Sequence, residues 1–148
     1  MSTTWQVSRR RLLATLTAVA GSVACTRIAT AQDPRASIAQ KAAREWLALA
    51  DRQDHAAMHK AAGAKFRSAI TPEKWAEASK AARDPLGPTL QRTLISTAFE
   101  KQFPGVPEGN YALLQFRTAF AKRPDSRETV TLEREPDGQW RVIGYFIR

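Results

Sequence analysis

Asp84-Pro85-Leu86-Gly87-Pro88 cuts this chain into two halves that cannot share one regular element. Proline has no backbone donor, fixes its own φ and turns its predecessor away from helix. From Ser37 to about Arg83 the sequence is alanine-rich with a helical period. From Leu86 onward it is rich in threonine, valine, isoleucine and aromatic residues, with period-two alternation and turn signals. Helices first and strands after them, joined by short connections, predict an α+β domain: N-terminal helices packed on a curved four-stranded antiparallel sheet.

Within the helical half, Ser37 and Gln40 have the spacing of a capping box. Ile38, Ala42, Trp46, Leu49 and Ala50 recur at threes and fours, which predicts one buried stripe on a helix ending near Asp51 to Asp54. Asp54 is placed to cap a second, shorter helix through His55, Met58 and Ala62, with Gly63 as its stop. Phe66 and Ile70 offer apolar anchors in a stretch without a clear period. Thr71-Pro72-Glu73 combines a cap, a proline that loses no hydrogen bond and an acid at the positive end of the helix dipole. Trp75, Ala78, Ser79 and Ala82 are expected on the buried side of that helix.

The strand half reads as Thr89 to Phe99, Asn110 to Phe120, Arg127 to Arg134 and Gln139 to Ile147, with Lys122-Arg123-Pro124-Asp125 as a solvated loop and Pro136-Asp137-Gly138 as a tight turn. Alternation assigns Ala112, Leu114, Phe116, Phe120, Val130, Leu132, Trp140, Val142 and Phe146 to a buried face. It assigns Tyr111, Gln115, Arg117, Thr129, Thr131, Glu133, Arg141 and Tyr145 to a mixed one. Trp46, Trp75 and Trp140 each lie on the apolar side of their segment and are read as core.

Residues 1–31 read as a targeting segment, and residues 32–37 as a linker to a single domain over 38–148. Arg9-Arg10-Arg11, the apolar run Leu12 to Ala24 and Ala29-Thr30-Ala31 have the order of a secretory signal peptide cleaved after Ala31. Ser8-Arg9-Arg10-Arg11-Leu12-Leu13 also resembles a twin-arginine export motif. The apolar run is shorter than the roughly 20 residues a bilayer-spanning helix needs. These features predict a periplasmic or secreted protein. Ser22-Val23-Ala24-Cys25 leaves open lipidation at Cys25, the one cysteine in the chain. Loss of the four arginines before Gln32 lowers the formal charge from +9 to +5. That is too modest to indicate a nucleic-acid binder. It leaves envelope anions, among them an anionic membrane surface, as natural counterparts.

The strings Ala43-Arg44-Glu45-Trp46-Leu47-Ala48-Leu49-Ala50-Asp51, Thr71-Pro72-Glu73-Lys74-Trp75, Arg83-Asp84-Pro85-Leu86-Gly87, Glu128-Thr129-Val130-Thr131-Leu132 and Asp137-Gly138-Gln139-Trp140-Arg141-Val142-Ile143-Gly144-Tyr145-Phe146-Ile147 occur in this order. Together they resemble the bacterial domain-of-unknown-function family 4019, a group of small exported proteins, over about Ile38 to Arg148. The resemblance implies export and fold, and brings no activity, cofactor or catalytic residue. The predicted architecture resembles a cystatin-like cone of the nuclear transport factor 2-like superfamily, in which a bent sheet wraps the first long helix and leaves a pocket at its mouth.

Chemistry-bearing patterns are sparse. His55 and His59 are four apart on one helix face, a spacing that suits two metal ligands, but no third ligand has a telling position. There is no nucleophile elbow, phosphate loop or dinucleotide fingerprint. Glu133 and Glu135 flank Arg134 on a strand edge and read as solvated. No catalytic residue, metal or cofactor is therefore assigned. The candidate ligand-binding set is Gln115, Arg117, Thr131, Glu133, Arg141 and Tyr145 on the mixed sheet face, with cross-strand charge pairs expected among Arg117, Glu133 and Arg141. These features predict a non-catalytic module for an envelope ligand or protein partner. A small enzyme using a cone pocket and a subunit that forms a homodimer through the open sheet face are the alternatives.

Overall fold

The computed structural model describes residues 33–148; the expected export signal, its arginine motif and Cys25 lie outside the described residues. Helix α1 spans Pro34–Asp51, α2 His55–Ala61, α3 Ala64–Ala69 and α4 Pro72–Arg83, and a 3-10 turn at Asp84–Leu86 ends the helical half. Strands β1 (Thr89–Glu100), β2 (Tyr111–Phe120), β3 (Arg123–Arg134) and β4 (Trp140–Ile147) follow. They pair in chain order as one open antiparallel sheet, β1-β2-β3-β4. The molecule is an α+β domain, and helix ends at the proline-rich break as its chemistry requires.

Local signals are largely realised, with shifts that have physical causes. Helix α1 begins earlier than the Ser37 cap predicts, because Asp33 caps it by accepting from the Arg35 backbone N–H at 2.9 Å with Pro34 in the first turn. Most of the expected linker is thus helical. Gln40, freed from capping, donates to Thr97 on β1 at 3.0 Å. The buried stripe is rotated: Ala39, Ala43, Trp46, Leu47 and Ala50 face the sheet, while Ile38 is 56% exposed. Small Ala39 and Ala43 let the helix backbone approach the strands closely, and this close contact decides the face.

Asp54 caps α2 as expected, accepting from the Ala57 N–H at 3.0 Å, and Thr71 caps α4. Gly63 is not a left-handed stop. It has φ −67° and caps α3, and its N–H donates to the Val142 carbonyl of β4 at 2.8 Å. A Cβ there would stand 2.9 Å from Ile143 Cγ2, so the position needs glycine for close approach. Helix α4 buries Trp75, Ser79 and Arg83, one per turn, and leaves Ala78 and Ala82 exposed.

Among the described residues four irregularities interrupt the ladders, two of them between β1 and β2 where Leu90 and Ile95 are extra residues, and the other two change the sequence reading. β3 starts at Arg123, four residues before the expected start. Pro124 and Asp125 stand opposite the single residue Ala119 in a bulge, where proline costs no ladder bond. In β4 the register shifts between the Leu132–Val142 and Thr131–Gly144 pairs, so Ile143 is an extra residue. Parity inverts beyond it. Tyr145 and Ile147 turn toward the helices, and Phe146, expected in the core, is 68% exposed.

The core lies between α1 and the inner sheet face. Trp46, Leu47, Met58, Phe66, Trp75, Leu114, Phe116, Val130, Leu132, Trp140 and Val142 form one cluster, each large side chain contributing roughly 1.5–3 kcal/mol. Trp46, Phe66 and Trp75 pack edge to face or tilted at 4.8–6.4 Å, and the Trp46 indole donates to the Met58 carbonyl at 2.9 Å.

Candidate functional site

Antiparallel pairing lines up residues that share a face, so the outer side of the sheet can be read in rows. Thr93 pairs with Arg117, Arg117 with Arg127, and Arg127 exchanges both backbone hydrogen bonds with Arg148. Three arginines therefore stand side by side across β2, β3 and the end of β4. The next row holds Ser96, Gln115, Thr129 and Phe146, and the one after it Ala98, Leu113, Thr131 and Gly144. The last holds Glu100, Tyr111, Glu133 and Arg141. Five of the six sequence-predicted site residues, Gln115, Arg117, Thr131, Glu133 and Arg141, fall on this face. Tyr145 does not, because the extra residue at Ile143 turns it inward.

The two ends of this face differ. At the Glu133 end the charges are partnered. Lys65 of α3 donates to Glu133 at 2.5 Å and to the Tyr111 hydroxyl at 2.8 Å, and these bonds raise its pKa. Arg141 pairs not with Glu133, its cross-strand neighbour, but with Glu135 at 2.6 Å and Asp137 at 2.7 Å. The Arg141 hydrogen bond is the main reason Asp137 is held down to about 2. Glu135 also accepts from the Ala64 N–H at 2.6 Å. Glu133 and Glu135 have side-chain exposures of only 16% and 15%, so neither is the solvated edge acid their sequence context suggests.

At the Arg117 end counter-charge is sparse. Arg117 has one acidic neighbour, Asp125, at 3.7 Å, and both side chains are open to solvent. Arg127 reaches only the Gln115 amide oxygen at 3.5 Å and has no ion-pair partner among the described residues. Like charges directly opposite on a sheet are destabilising. Both arginines line a shallow groove of about 560 Å³ with Gln91, Thr93, Ile95 and Pro124. The expected Arg117–Glu133 pairing is absent because the two residues lie three rows apart.

The inner face carries a second cluster. Glu128 is fully buried on β3 and accepts five hydrogen bonds. Arg83 donates through Nη1 at 3.1 Å, Arg92 through Nε at 2.5 Å and Nη2 at 3.3 Å, Thr118 at 2.5 Å and the Tyr145 hydroxyl at 2.5 Å. Asp51 at the end of α1 accepts from Arg83 at 2.9 Å, from both Arg92 terminal nitrogens at 2.7 and 2.8 Å, and from Thr89 at 2.8 Å. Two arginines and two acids thus balance, joining α1, α4 and all four strands. Burial pushes the Tyr145 hydroxyl well up, and burial against Asp51 is outweighed by Arg92, Thr89 and Arg83, so its pKa falls. On Glu128 both carboxylate oxygens are fully engaged by donors, so it has no free lone pair to act as a general base.

Sequence reasoning missed this cluster, yet its signal was present. Glu128 has the parity of Val130 and Leu132, and Thr118 that of Phe116 and Phe120. The two histidines are also accounted for. His55 Nδ1 lies 3.1 Å from the Ser79 hydroxyl and His59 Nε2 lies 2.8 Å from the Ile70 carbonyl, so each ties α2 to a different segment. Burial and the charge of Lys80 lower the His55 pKa. Among the described residues no group of three or more His, Cys, Asp or Glu is placed to hold a metal.

The sequence model of a family described as "Protein of unknown function (DUF4019)" matches residues 42–145. A solved structure from Catenulispora acidiphila is similar over 77% of this chain and 90% of its own, at 12% identity and a TM-score of 0.52, a likeness of fold. A solved structure of Aln2 from a Streptomyces species covers 78% of this chain and 91% of its own at 15% identity and a TM-score of 0.49. No curated protein matches the chain.

Proposed function

The chain belongs to the DUF4019 family of proteins of unknown function, and from that premise we propose that it is an exported binding protein that takes an anionic partner on the outer face of its sheet. One observation carries this reading: Arg117 and Arg127 stand directly opposite each other without adequate counter-charge and line a broad groove on that face. A repulsive pair kept on an open surface costs stability, and an anion would relieve it. Export is read from the cationic, apolar and small-residue order of residues 8–31. In the same reading the bent sheet wraps α1 as a cone whose interior is filled by the aromatic cluster and the Glu128 network. That filling favours binding over catalysis, since an interior acid with five donors on it has no free lone pair for a substrate.

Amide chemical shifts titrated with sodium polyphosphate, a soluble anionic probe, test the face. Saturating shifts at Thr93, Arg117 and Arg127, lost in the Arg117→Gln/Arg127→Gln variant, are expected. Shifts scattered over the molecule, or none, would overturn the assignment. Intact mass of the protein extracted from the cell envelope tests export. A chain starting at Gln32 supports it, a lipid-bearing Cys25 terminus moves it to an anchored form, and an uncleaved chain confined to the cell interior refutes it. Light scattering across a concentration series separates a homodimer that hides this face from a monomer that leaves it open.

A further inference from the structure

Cationic and apolar side chains share the outer sheet face within a short distance of each other. Arg117, Arg127 and Arg148 form one row, with Asp125 as the acid beside Arg117, and Lys122 lies exposed at the turn between β2 and β3. The neighbouring row ends at Phe146 on β4, which is 68% exposed, and at the opposite edge of the sheet Ile95 on β1, 47% exposed, lines the groove with Arg117 and Arg127. Rows on one face are about 7 Å apart and strands about 4.8 Å apart, so the apolar groups stand within one side-chain length of the guanidinium groups. A soluble anion would engage the arginines and leave Phe146 in water. An anionic bilayer satisfies both: phosphates meet the guanidinium row at headgroup depth, while aromatic and aliphatic groups enter the acyl boundary just beneath.

We propose that the outer face of the sheet docks on an anionic phospholipid surface, with Arg117, Arg127 and Arg148 against the phosphates and Phe146 and Ile95 inserted beside them. The proposal rests on the reading of this face as the binding face and adds the partner. At the opposite end of the face Lys65 and Arg141 are neutralised by Glu133, Glu135 and Asp137, so the surplus positive charge sets the tilt: the Arg117 end approaches the lipid and the Glu133 end stays away. Each basic residue close to an anionic leaflet strengthens binding about fivefold, within the reach of salt screening.

The test uses the full-length chain with vesicles of phosphatidylglycerol, vesicles of phosphatidylcholine and sodium polyphosphate. The segment before Asp33 is common to all variants, so ratios between variants isolate the sheet face. Wild type is expected to partition onto phosphatidylglycerol far more than onto phosphatidylcholine, with binding falling steeply as salt rises. Arg117→Gln/Arg127→Gln should bind phosphatidylglycerol roughly thirtyfold more weakly. Phe146→Ser should weaken vesicle binding roughly tenfold while leaving polyphosphate binding unchanged. Equal binding of wild type and the double arginine variant to phosphatidylglycerol vesicles overturns the proposal. Polyphosphate binding through the arginines without vesicle binding overturns the lipid partner and leaves the face intact. Loss of both removes the face as well. All three positions are solvent-facing, and unchanged circular dichroism of the variants confirms that folding is not the cause.

Discussion

Glu128→Gln is the substitution that most directly tests what holds this fold together. The change keeps the shape of the side chain and removes its charge. In the native protein Arg83 and Arg92 face Asp51 and Glu128, two charges against two, with Arg83, Arg92 and Glu128 side chains only 8%, 13% and 0% exposed. With glutamine, one positive charge is left over in a desolvated setting. The new amide also turns an N–H toward one set of donors, either Thr118 with Arg92 Nε or Arg83 with Arg92 Nη2 and Tyr145, where a carboxylate oxygen accepted before. Breaking a buried pair from one side costs about 3–5 kcal/mol, a large part of the roughly 5–15 kcal/mol that holds a domain of this kind. The melting temperature should fall by roughly 12–20 °C at about 4 °C per kcal/mol. Urea unfolding followed by circular dichroism reads the loss directly. Arg92→Met alone leaves one surplus negative charge, whereas Glu128→Gln/Arg92→Met restores neutrality through Asp51 and Arg83. The double variant should therefore be less destabilised than the sum of the singles by at least about 1 kcal/mol. A Glu128→Gln loss below about 1 kcal/mol with an unchanged m value, or strict additivity in the cycle, would refute the claim that charge balance organises the inner face.

Gly63→Ala should cost about 1–3 kcal/mol by urea unfolding, because the new methyl meets Ile143 Cγ2 at 2.9 Å and Glu135 Oε1 at 3.1 Å; no loss would mean that β4 shifts freely. Acid should weaken the fold through groups whose folded pKa values are depressed, His55 and Asp51 being the two that tie helices to the rest of the domain. For His55 the contribution is present above about pH 6.5 and declines as pH falls through its lowered folded value. For Asp51 it is present above about pH 4 and is lost at lower pH. Stability measured from pH 8 to 3 should thus fall in two stages, and His55→Gln should flatten the first; a single carboxylate-range transition in both proteins would contradict this. Arg127→Gln should leave stability unchanged or raise it by about 0.2–1 kcal/mol, since it removes like-charge repulsion with Arg117 and Arg148; a clear loss by thermal unfolding would show that Arg127 is structurally paired.

Most of the element map was legible before any tertiary information. Proline at 85 and 88, the Thr71-Pro72 start and the Asp54 cap act through bonds within a few residues, so local chemistry suffices. Strand alternation placed Ala112, Leu114, Phe116, Val130 and Leu132 correctly for the same reason: parity is a property of one strand. What parity cannot foresee is an extra residue. Ile143 reverses the order in β4, sending Tyr145 to the buried acid and Phe146 to solvent. The α1 stripe was misjudged because periodicity weighs Ile38 above Ala39, while close packing against a sheet favours the smaller side chain. Glu128 escaped notice because residue type pointed outward while its parity pointed in.

By itself the sequence determined where helix must stop, which strands follow and which faces alternate, because these depend on backbone constraints and neighbours a few positions away. Tertiary structure alone decided the register that sets Arg117 beside Arg127 and Arg148, and the meeting of Arg83, Arg92, Asp51 and Tyr145 around Glu128. Those arrangements join residues ten or more positions apart, and a one-residue slip in β2, β3 or β4 would exchange the partners in both.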